Sequence, residues 1–533
     1  MKTTNKKIFG IDRMVTWILA GIVGIEVAFL IYYNCITDYV FDCDAAKLMY
    51  HAVKMWENKS LIIPNWTYMT TGEWDCSSLL AMPIYGMTGN ITLSFAVANI
   101  INIVLFVLII GILLKAVDVP NKYILLALSI IFVPYCWGML EYTNMLFYSG
   151  AQYVYKVLVP LSLLAVFHHK KIGGEQNVLQ IILYIFTESM IFMTTSASSL
   201  FVSVCGIMPI LVCRIFNMFA HGERRRSAQE WFEIVSTVLV VLGGYATHKI
   251  YGVSSNADNM MLHSINEIGQ AFGQNNLNLM NIMQVLPTEG IEVFSGDGIT
   301  SLLKCLLFSC IIIMALPCIK TFMCLDQLLA KEPIVAEGND QVKLLRSELI
   351  SIFICNYVIT LLTSSTPRYL LIGFIPLILV AVMQLSSYEV SRILDVCMIM
   401  VIVLLNVFLQ HDAYIGVTKI FPGNYDKETC NSILEMADEN GAEVVVLYGA
   451  ADWAEVMRAY DVNSVIVTYQ PWEDKIEDYD CVNTVTAENL KNKKSILVVP
   501  LERQDDLLEQ AVSKYNYVYW KDADGMAFYT YGQ

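Results

Sequence analysis

The chain has 533 residues, 56% of them hydrophobic and 16% charged, with a formal net charge of −15. Ordinary soluble domains carry about 25% charge, so this composition excludes a conventional water-soluble globule. The 14 cysteines stand singly, several inside apolar stretches (Cys205, Cys213, Cys310, Cys355, Cys397), with no CxxC pair; they read as small buried hydrophobes and exclude a disulfide framework or a zinc cluster.

In chain order, MKTTNKKIFGIDRM sets Lys2, Lys6, Lys7 and Arg13 ahead of the first apolar run, a flank that belongs on the cytoplasmic side. That run is too long for a signal peptide and lacks a small-residue cleavage pattern, so it is expected to be a retained span. Stretches near the roughly 20 residues that cross a bilayer core predict spans at 14–34, 91–114, 122–140, 151–168, 178–195, 197–217, 231–249, 301–322, 347–363, 369–385 and 392–409. Eleven crossings from a cytoplasmic start leave the C-terminus outside. The basic links agree, because His168 to Lys171, Arg214 with Arg224 to Arg226, and Lys320, Lys331, Lys343 and Arg346 all fall inside. The short linker from Thr194 to Ala197 leaves a single re-entrant unit open for the fifth and sixth spans.

Two outer segments, Cys35 to Asn90 and Ile250 to Thr300, are too polar to cross and too long to be mere connectors. Within the first, Ala45, Leu48, Met49, Ala52, Val53 and Trp56 recur with a helical period. This predicts an amphipathic helix along the membrane surface, with Lys47, His51 and Lys54 elsewhere on its circumference. The second segment reads as a helix around HSINEIGQAFG and a turn at Pro287 to Gly290.

From Gln410 the composition shifts to 22 acidic against 10 basic residues. Strands are expected at 443–448, 464–468, 495–499 and 517–520, alternating with helices at 431–439, 452–459 and 505–513, which suggests a small three-layer α/β domain. Gly449-Ala450-Ala451 after the first strand is not a dinucleotide fingerprint. The expected fold class is a polytopic α-helical membrane protein of about 11 transmembrane helices with a small extracytoplasmic α/β domain. Residues 1–410 form the transmembrane domain, with outer loops 35–90 and 250–300, and residues 411–533 the acidic domain.

Chemistry-bearing residues collect on the outer side. Asp42 and Asp44 follow the first span, and Glu73 and Asp75 precede the second. Asp44 also fits a helix N-cap, and capping is compatible with catalysis. Arg368 and Tyr369 sit at the outer mouth of the tenth span. An arginine there either snorkels or forks onto the phosphate of a lipid headgroup. His51 lies seven residues after Asp44, on nearly the same helical face. His263, Asn259, Asn266 and Glu267 could line an acceptor side, and Glu141, Tyr142 and Tyr148 lie at the outer end of the third and fourth spans. Trp66, Tyr68 and Trp74 read as interface aromatics. Glu26 is an acid inside the first span whose partner the sequence leaves unnamed.

Four features in this order resemble the GT-C superfamily of polyprenyl-phosphate-sugar-dependent glycosyltransferases, near the bacterial protein mannosyltransferase and aminoarabinose transferase families. They are Asp44-Ala45-Ala46 directly after the first span, Pro64 with Trp66 in the following loop, MTTGEWDCSSLLAMPIYGMTGN before the second span, and the late Pro-Arg-Tyr-Leu-Leu at 367–371. The likeness covers residues 10 to about 410, more by layout than by identity. Such families usually show Asp-Glu at the first motif; here Cys43 separates Asp42 from Asp44, so either could be the base, and Asp44 is preferred.

The resemblance implies a GT-C-like membrane fold whose donor is a sugar on a polyprenyl phosphate, with Arg368, assisted by Lys47 or Lys54, on the phosphate. Asp44 would take the proton of an acceptor hydroxyl on a glycan, lipid or protein, and single displacement predicts inversion. Asp75 or Glu73 would orient the acceptor or hold a divalent cation, although two acids are too few to define a metal site. Membrane lipids are expected partners and nucleic acid is not. The rival readings are a flippase or carrier for a lipid-linked substrate, which should show paired broken helices, and a non-catalytic envelope assembly protein.

Overall fold

The computed structural model describes residues 2–36, 43–64, 66, 68, 71–133, 142–169, 178–220, 228–251, 262–285, 290–328, 340–363, 366–387, 396–405, 427–476, 490 and 493–531. The helices begin with α1 (Lys2–Ile36), α2 (Cys43–Asn58), α3 (Ser78–Thr88), α4 (Ile91–Ala116), α5 (Asn121–Phe132), α6 (Thr143–Leu146), α7 (Val154–His168) and α8 (Val178–Ser198). A π turn (Ser203–Ile207) leads into α9 (Met208–Ala220), followed by α10 (Ala228–Ile250), α11 (Ile268–Asn281) and α12 (Gly296–Ala315). A 3-10 segment (Leu316–Cys324) precedes α13 (Leu325–Leu328) and α14 (Asp340–Leu362), and a 3-10 turn (Pro367–Leu370) precedes α15 (Leu371–Ser387). The last apolar helix is α16 (Val396–Leu405).

Among the described residues, eight segments are long and apolar enough to cross a membrane: Arg13–Cys35, Ile91–Ala116, Val178–Ser198, Ser203–Ala220, Ala228–Ile250, Gly296–Cys324, Asp340–Leu362 and Pro367–Ser387. The chain is a polytopic α-helical membrane protein. The other three of the eleven expected spans coincide with the shorter apolar helices α5, α7 and α16; the expected continuations to 140 and 409 lie outside the described residues. The fifth and sixth expected spans are two separate helices, α8 and the π turn with α9.

The chain divides into two compact units. One comprises Met1–Asn34, Thr70–Cys76 and Asn99–Val417, the other Cys35–Met69, Ser77–Ala98 and Thr418–Gln533.

In the first unit α15 is the central post, buried without interruption from Leu371 to Leu385 and packed against α5, α7, α12 and α14. Buried polar groups inside this bundle have no water to turn to, so each must find a protein partner. Glu26 accepts a hydrogen bond from Ser129 Oγ of α5 at 2.9 Å, which names the partner the sequence left open and ties α1 to α5. Asn34 donates to the Phe147 and Leu30 carbonyls at 3.0 and 2.9 Å and accepts from Asn99 at 2.9 Å.

At the C-terminal end of α7 the Glu348 carboxylate of α14 is shared. Arg214 Nε of α9 donates to Oε1 at 2.7 Å, and His168 Nε2 lies 2.5 Å from Oε2. Arg214, expected in a basic cytoplasmic link, is thus a buried helix residue 3% exposed, because a bundle carboxylate claims it.

The second unit contains α17 (Lys427–Glu439), β1 (Val444–Tyr448), α18 (Ala451–Tyr460), β2 (Ile466–Gln470), β3 (Lys475–Ile476), β4 (Ser495–Pro500), α19 (Leu508–Lys514), β5 (Tyr517–Ala523) and β6 (Met526–Tyr531). They form one open six-stranded sheet in the order β3-β2-β1-β4-β6-β5. β2, β1 and β4 are parallel, while β3, β6 and β5 run antiparallel to their neighbours. The four expected strands are β1, β2, β4 and β5; β3 and β6 are additions. β6 returns from β5 through Asp524-Gly525, both at positive φ (48° and 78°), the backbone that a tight two-residue hairpin requires.

The helix expected along the membrane surface is α2, but its burial is not one-sided: every residue from Ala45 to Val53 is buried. The cause is double cover, since α2 packs against both α3 and α18.

Removing Arg214 would leave the Glu348 carboxylate buried without its cation, which costs about 3–5 kcal/mol. Arg214→Met should therefore lower the melting temperature in detergent sharply, while Arg214→Met combined with Glu348→Leu should recover much of the loss; thermal melts of the three proteins check this.

Candidate functional site

The tenth expected span opens with the 3-10 turn Pro367–Leu370, and α14 holds that turn. Asn356 Nδ2 donates to the Tyr369 carbonyl at 3.0 Å, and the Gly373 N–H donates to Asn356 Oδ1 at 3.0 Å. This clasp requires close helix approach, because a Cβ on Gly373 would stand 2.9 Å from Asn356 Oδ1 and 3.1 Å from the Phe353 Cα. The turn presents Arg368, half-buried, with its guanidinium 5.8 Å from the Tyr369 ring. Tyr369 packs against Tyr153 and Phe201 at ring separations of 6.3 and 5.8 Å.

A second element comes from the end of the first outer loop. The Gly72 N–H donates to the Ala197 carbonyl at 2.8 Å, and Trp74 Nε1 donates to Ser196 Oγ at 3.2 Å. A Cβ on Gly72 would overlap the Trp74 ring at 2.5 Å, so glycine is needed for the indole to fold back. Together these bonds pin residues 71–76 to the end of α8.

The consequence is the placement of Asp75, 1% exposed. Its Oδ2 accepts from Ser198 Oγ at 2.5 Å and lies 2.9 Å from Lys156 Nζ, while its buried Oδ1 has no hydrogen-bond partner among the described residues. Lys156, 5% exposed, also donates to the Gln152 carbonyl at 2.9 Å and stands 5.1 Å from the Tyr153 ring. Tyr153 is the meeting point, because its ring stands between Lys156 Nζ at 5.1 Å and the Tyr369 ring at 6.3 Å, which Arg368 in turn approaches to 5.8 Å. One acid, two cations and two phenols thus converge where α7 and α15 begin and α8 ends.

The remaining expected site residues are placed as follows. Asp42 lies outside the described residues. Asp44, Lys47, His51 and Lys54 are on α2 in the other unit. There Asp44 heads the helix, Lys47 is buried, and His51 is fully enclosed with its ring 4.7 Å from Trp66 and 5.6 Å from Tyr68. Lys54 pairs with Glu57 at 2.8 Å, a contact that holds its ammonium above the ordinary lysine range against the opposing effect of burial. Glu73 is buried at positive φ (63°), two residues before Asp75 in the same pinned segment.

His263 donates its backbone N–H to the Leu362 carbonyl at 2.7 Å, which anchors the second outer segment to the end of α14. Glu267 accepts from the Ser264 backbone and side chain, and these bonds hold its carboxyl below the usual range. The helix α11 that follows packs against α14 and the 367–370 turn. Asn266 is exposed, whereas Tyr142 is a buried packing group that donates to the Ile131 carbonyl. Asn259 and Glu141 lie outside the described residues. Trp66 and Tyr68, expected as interface aromatics, are buried around His51, and Trp74 is the pin described above.

Sequence reasoning missed Lys156, Tyr153 and Ser198. The signal for Lys156 was present, as a lone cation at the third position of the apolar run VYKVLVPLSLLAVF. Among the described residues no group of three or more His, Cys, Asp or Glu side chains could hold a metal ion.

No family model and no curated protein matches the chain. Among solved structures, ArnT from Cupriavidus metallidurans in its apo state aligns with a TM-score of 0.44 at 10% identity, covering 96% of this chain and 97% of that one.

Gly373→Ala forces a methyl group against the Phe353 backbone, which cannot yield as a side-chain end can. The variant should lose about 1–3 kcal/mol of stability, and hydrogen–deuterium exchange should rise at residues 367–373 while residues 71–76 stay protected.

Proposed function

We propose that the chain is a membrane glycosyltransferase of the GT-C kind, moving a sugar from a polyprenyl-phosphate donor to an extracytoplasmic glycan, lipid or protein with inversion. The supporting observation is the convergence of Arg368, Lys156 and Asp75 around Tyr153 and Tyr369. Cations that flank a carboxylate at helix ends can bind a lipid phosphate while the carboxylate beside them receives a proton. The order of the first-loop and Pro-Arg-Tyr-Leu-Leu motifs supports the same reading.

In this proposal the N-terminus is cytoplasmic and the acidic C-terminal domain extracytoplasmic, so the Arg368 cluster faces the outer leaflet. Arg368 forks onto the donor phosphate, and Tyr369 and Tyr153 wall the headgroup. As the acceptor oxygen attacks the anomeric carbon, charge builds on the departing phosphate and the fixed cations offset it. A phosphate is a good leaving group, so one base suffices where a glycosidase needs two carboxylates. That base is a carboxylate of the first outer segment, and Glu73 with His263 serve the acceptor.

Arg368→Ala should raise the donor KM by about 10- to 100-fold, the loss of one charge-assisted contact of about 1.5–3 kcal/mol, with Arg368→Lys recovering part of it. The assay is release of polyprenyl phosphate from a panel of radiolabelled polyprenyl-phosphate hexoses in proteoliposomes. Movement of intact donor between leaflets with no release would instead establish a flippase.

A further inference from the structure

We propose that Asp75, not Asp44, is the proton acceptor of the transfer, and that Lys156 serves two anions in turn: the Asp75 carboxylate before the reaction and the departing phosphate after it. This rests on the glycosyltransferase reading above and assigns the base within that site.

Among the described residues, Glu348 and Asp75 are buried carboxylates paired with basic side chains, and they differ in one respect. Glu348 has both oxygens occupied, Oε1 by Arg214 and Oε2 by His168. Asp75 has Ser198 and Lys156 on Oδ2, and its buried Oδ1 has no hydrogen-bond partner among the described residues. The two clusters contact opposite ends of α7, at Lys156 and His168, separated by roughly 18 Å at 1.5 Å per residue. A carboxylate retained for packing should look like Glu348, since each unsatisfied buried acceptor costs about 1–3 kcal/mol. An acceptor oxygen whose lone pairs are not taken by a described residue is what a substrate hydroxyl needs, because a base must first accept the hydrogen bond along which the proton will move.

The geometry is also fixed in the way a base requires. Ser198 and Lys156 orient the carboxylate from one side, and the Gly72 and Trp74 bonds to Ala197 and Ser196 hold the segment that bears it. Ser198 is a positioning residue in this scheme.

The charges balance through the step. The acceptor O–H bond breaks and its proton passes to Asp75 Oδ1. The acceptor oxygen bonds to the anomeric carbon, and the bond from that carbon to the phosphate oxygen breaks with its electron pair leaving on the phosphate. The donor phosphate goes from monoanion to dianion as Asp75 goes from anion to neutral acid. Lys156 therefore loses its partner charge at the moment a new one forms, and no net charge is created in the low-dielectric interior. Asp44 is left to head α2, where a carboxylate suits the positive end of the helix dipole.

The test uses the full chain in proteoliposomes with the polyprenyl-phosphate hexose that the wild type turns over best. Asp75→Asn should lower kcat by about 10²- to 10⁴-fold, leaving the donor KM and the binding of polyprenyl phosphate within threefold of wild type. Asp44→Asn should retain kcat within tenfold. Lys156→Met should lower kcat, and Asp75→Asn combined with Lys156→Met should be no slower than Asp75→Asn alone. If Asp75→Asn does not fold as judged by thermal melting, the double variant, which removes both buried charges, carries the same kcat comparison. Retention of kcat in the Asp75 variants, or a loss that falls on Asp44→Asn instead, overturns this assignment while leaving the transferase reading intact. Absence of turnover by the wild type with every donor overturns both.

Discussion

A carboxylate and an ammonium 2.9 Å apart, each almost wholly shielded from solvent, organise the site end of the helix bundle. Neither charge is tolerable alone at that depth, since the effective penalty for burying one ion is several kcal/mol. Asp75 arrives there only because its segment is pinned to α8, and Lys156 only because α7 begins one turn earlier. The pair therefore couples a connecting loop to the packing of two helices. Tyr153 sits against Lys156 and Tyr369 and extends the coupling to the turn that holds Arg368.

That turn depends in its own way on close packing. α15 is the most enclosed of the long apolar helices, and a buried helix start leaves backbone groups to be satisfied. Asn356 meets the need with one side chain, donating to the Tyr369 carbonyl and accepting from the Gly373 N–H. Position 373 must be glycine for α14 to come near enough. The turn that bears the arginine proposed to grip the donor is thus held by the side chain of a neighbouring helix as well as by the outer helix α11.

The other unit shows a different solution to the same problem. α2 carries Lys47 and His51, polar residues that a surface helix would keep wet, and encloses both. Cover by α3 and by α18 makes that burial feasible, because aromatic rings of Trp66 and Tyr68 surround the imidazole. The acidic C-terminal region thereby packs, through α18, against the helix that follows the first span.

Much of this was legible in the residues, and the reason is physical. A bilayer admits only long apolar helices, so composition and length determined the polytopic class, the positions of the eight long spans and the polar outer segments by themselves. Alternation of short apolar runs with amphipathic ones did the same for β1, β2, β4 and β5, while β6 went unread despite the Asp524-Gly525 hairpin signal that preceded it. Pairing across the bundle was decided only by tertiary structure. Whether Arg214 lies in a cytoplasmic link or against Glu348, whether Asp75 decorates a wet loop or meets Lys156 from 81 residues away, and whether α2 lies open or enclosed depend on which helix faces which. Sequence periodicity describes one helix at a time, and partner choice arises from packing between helices.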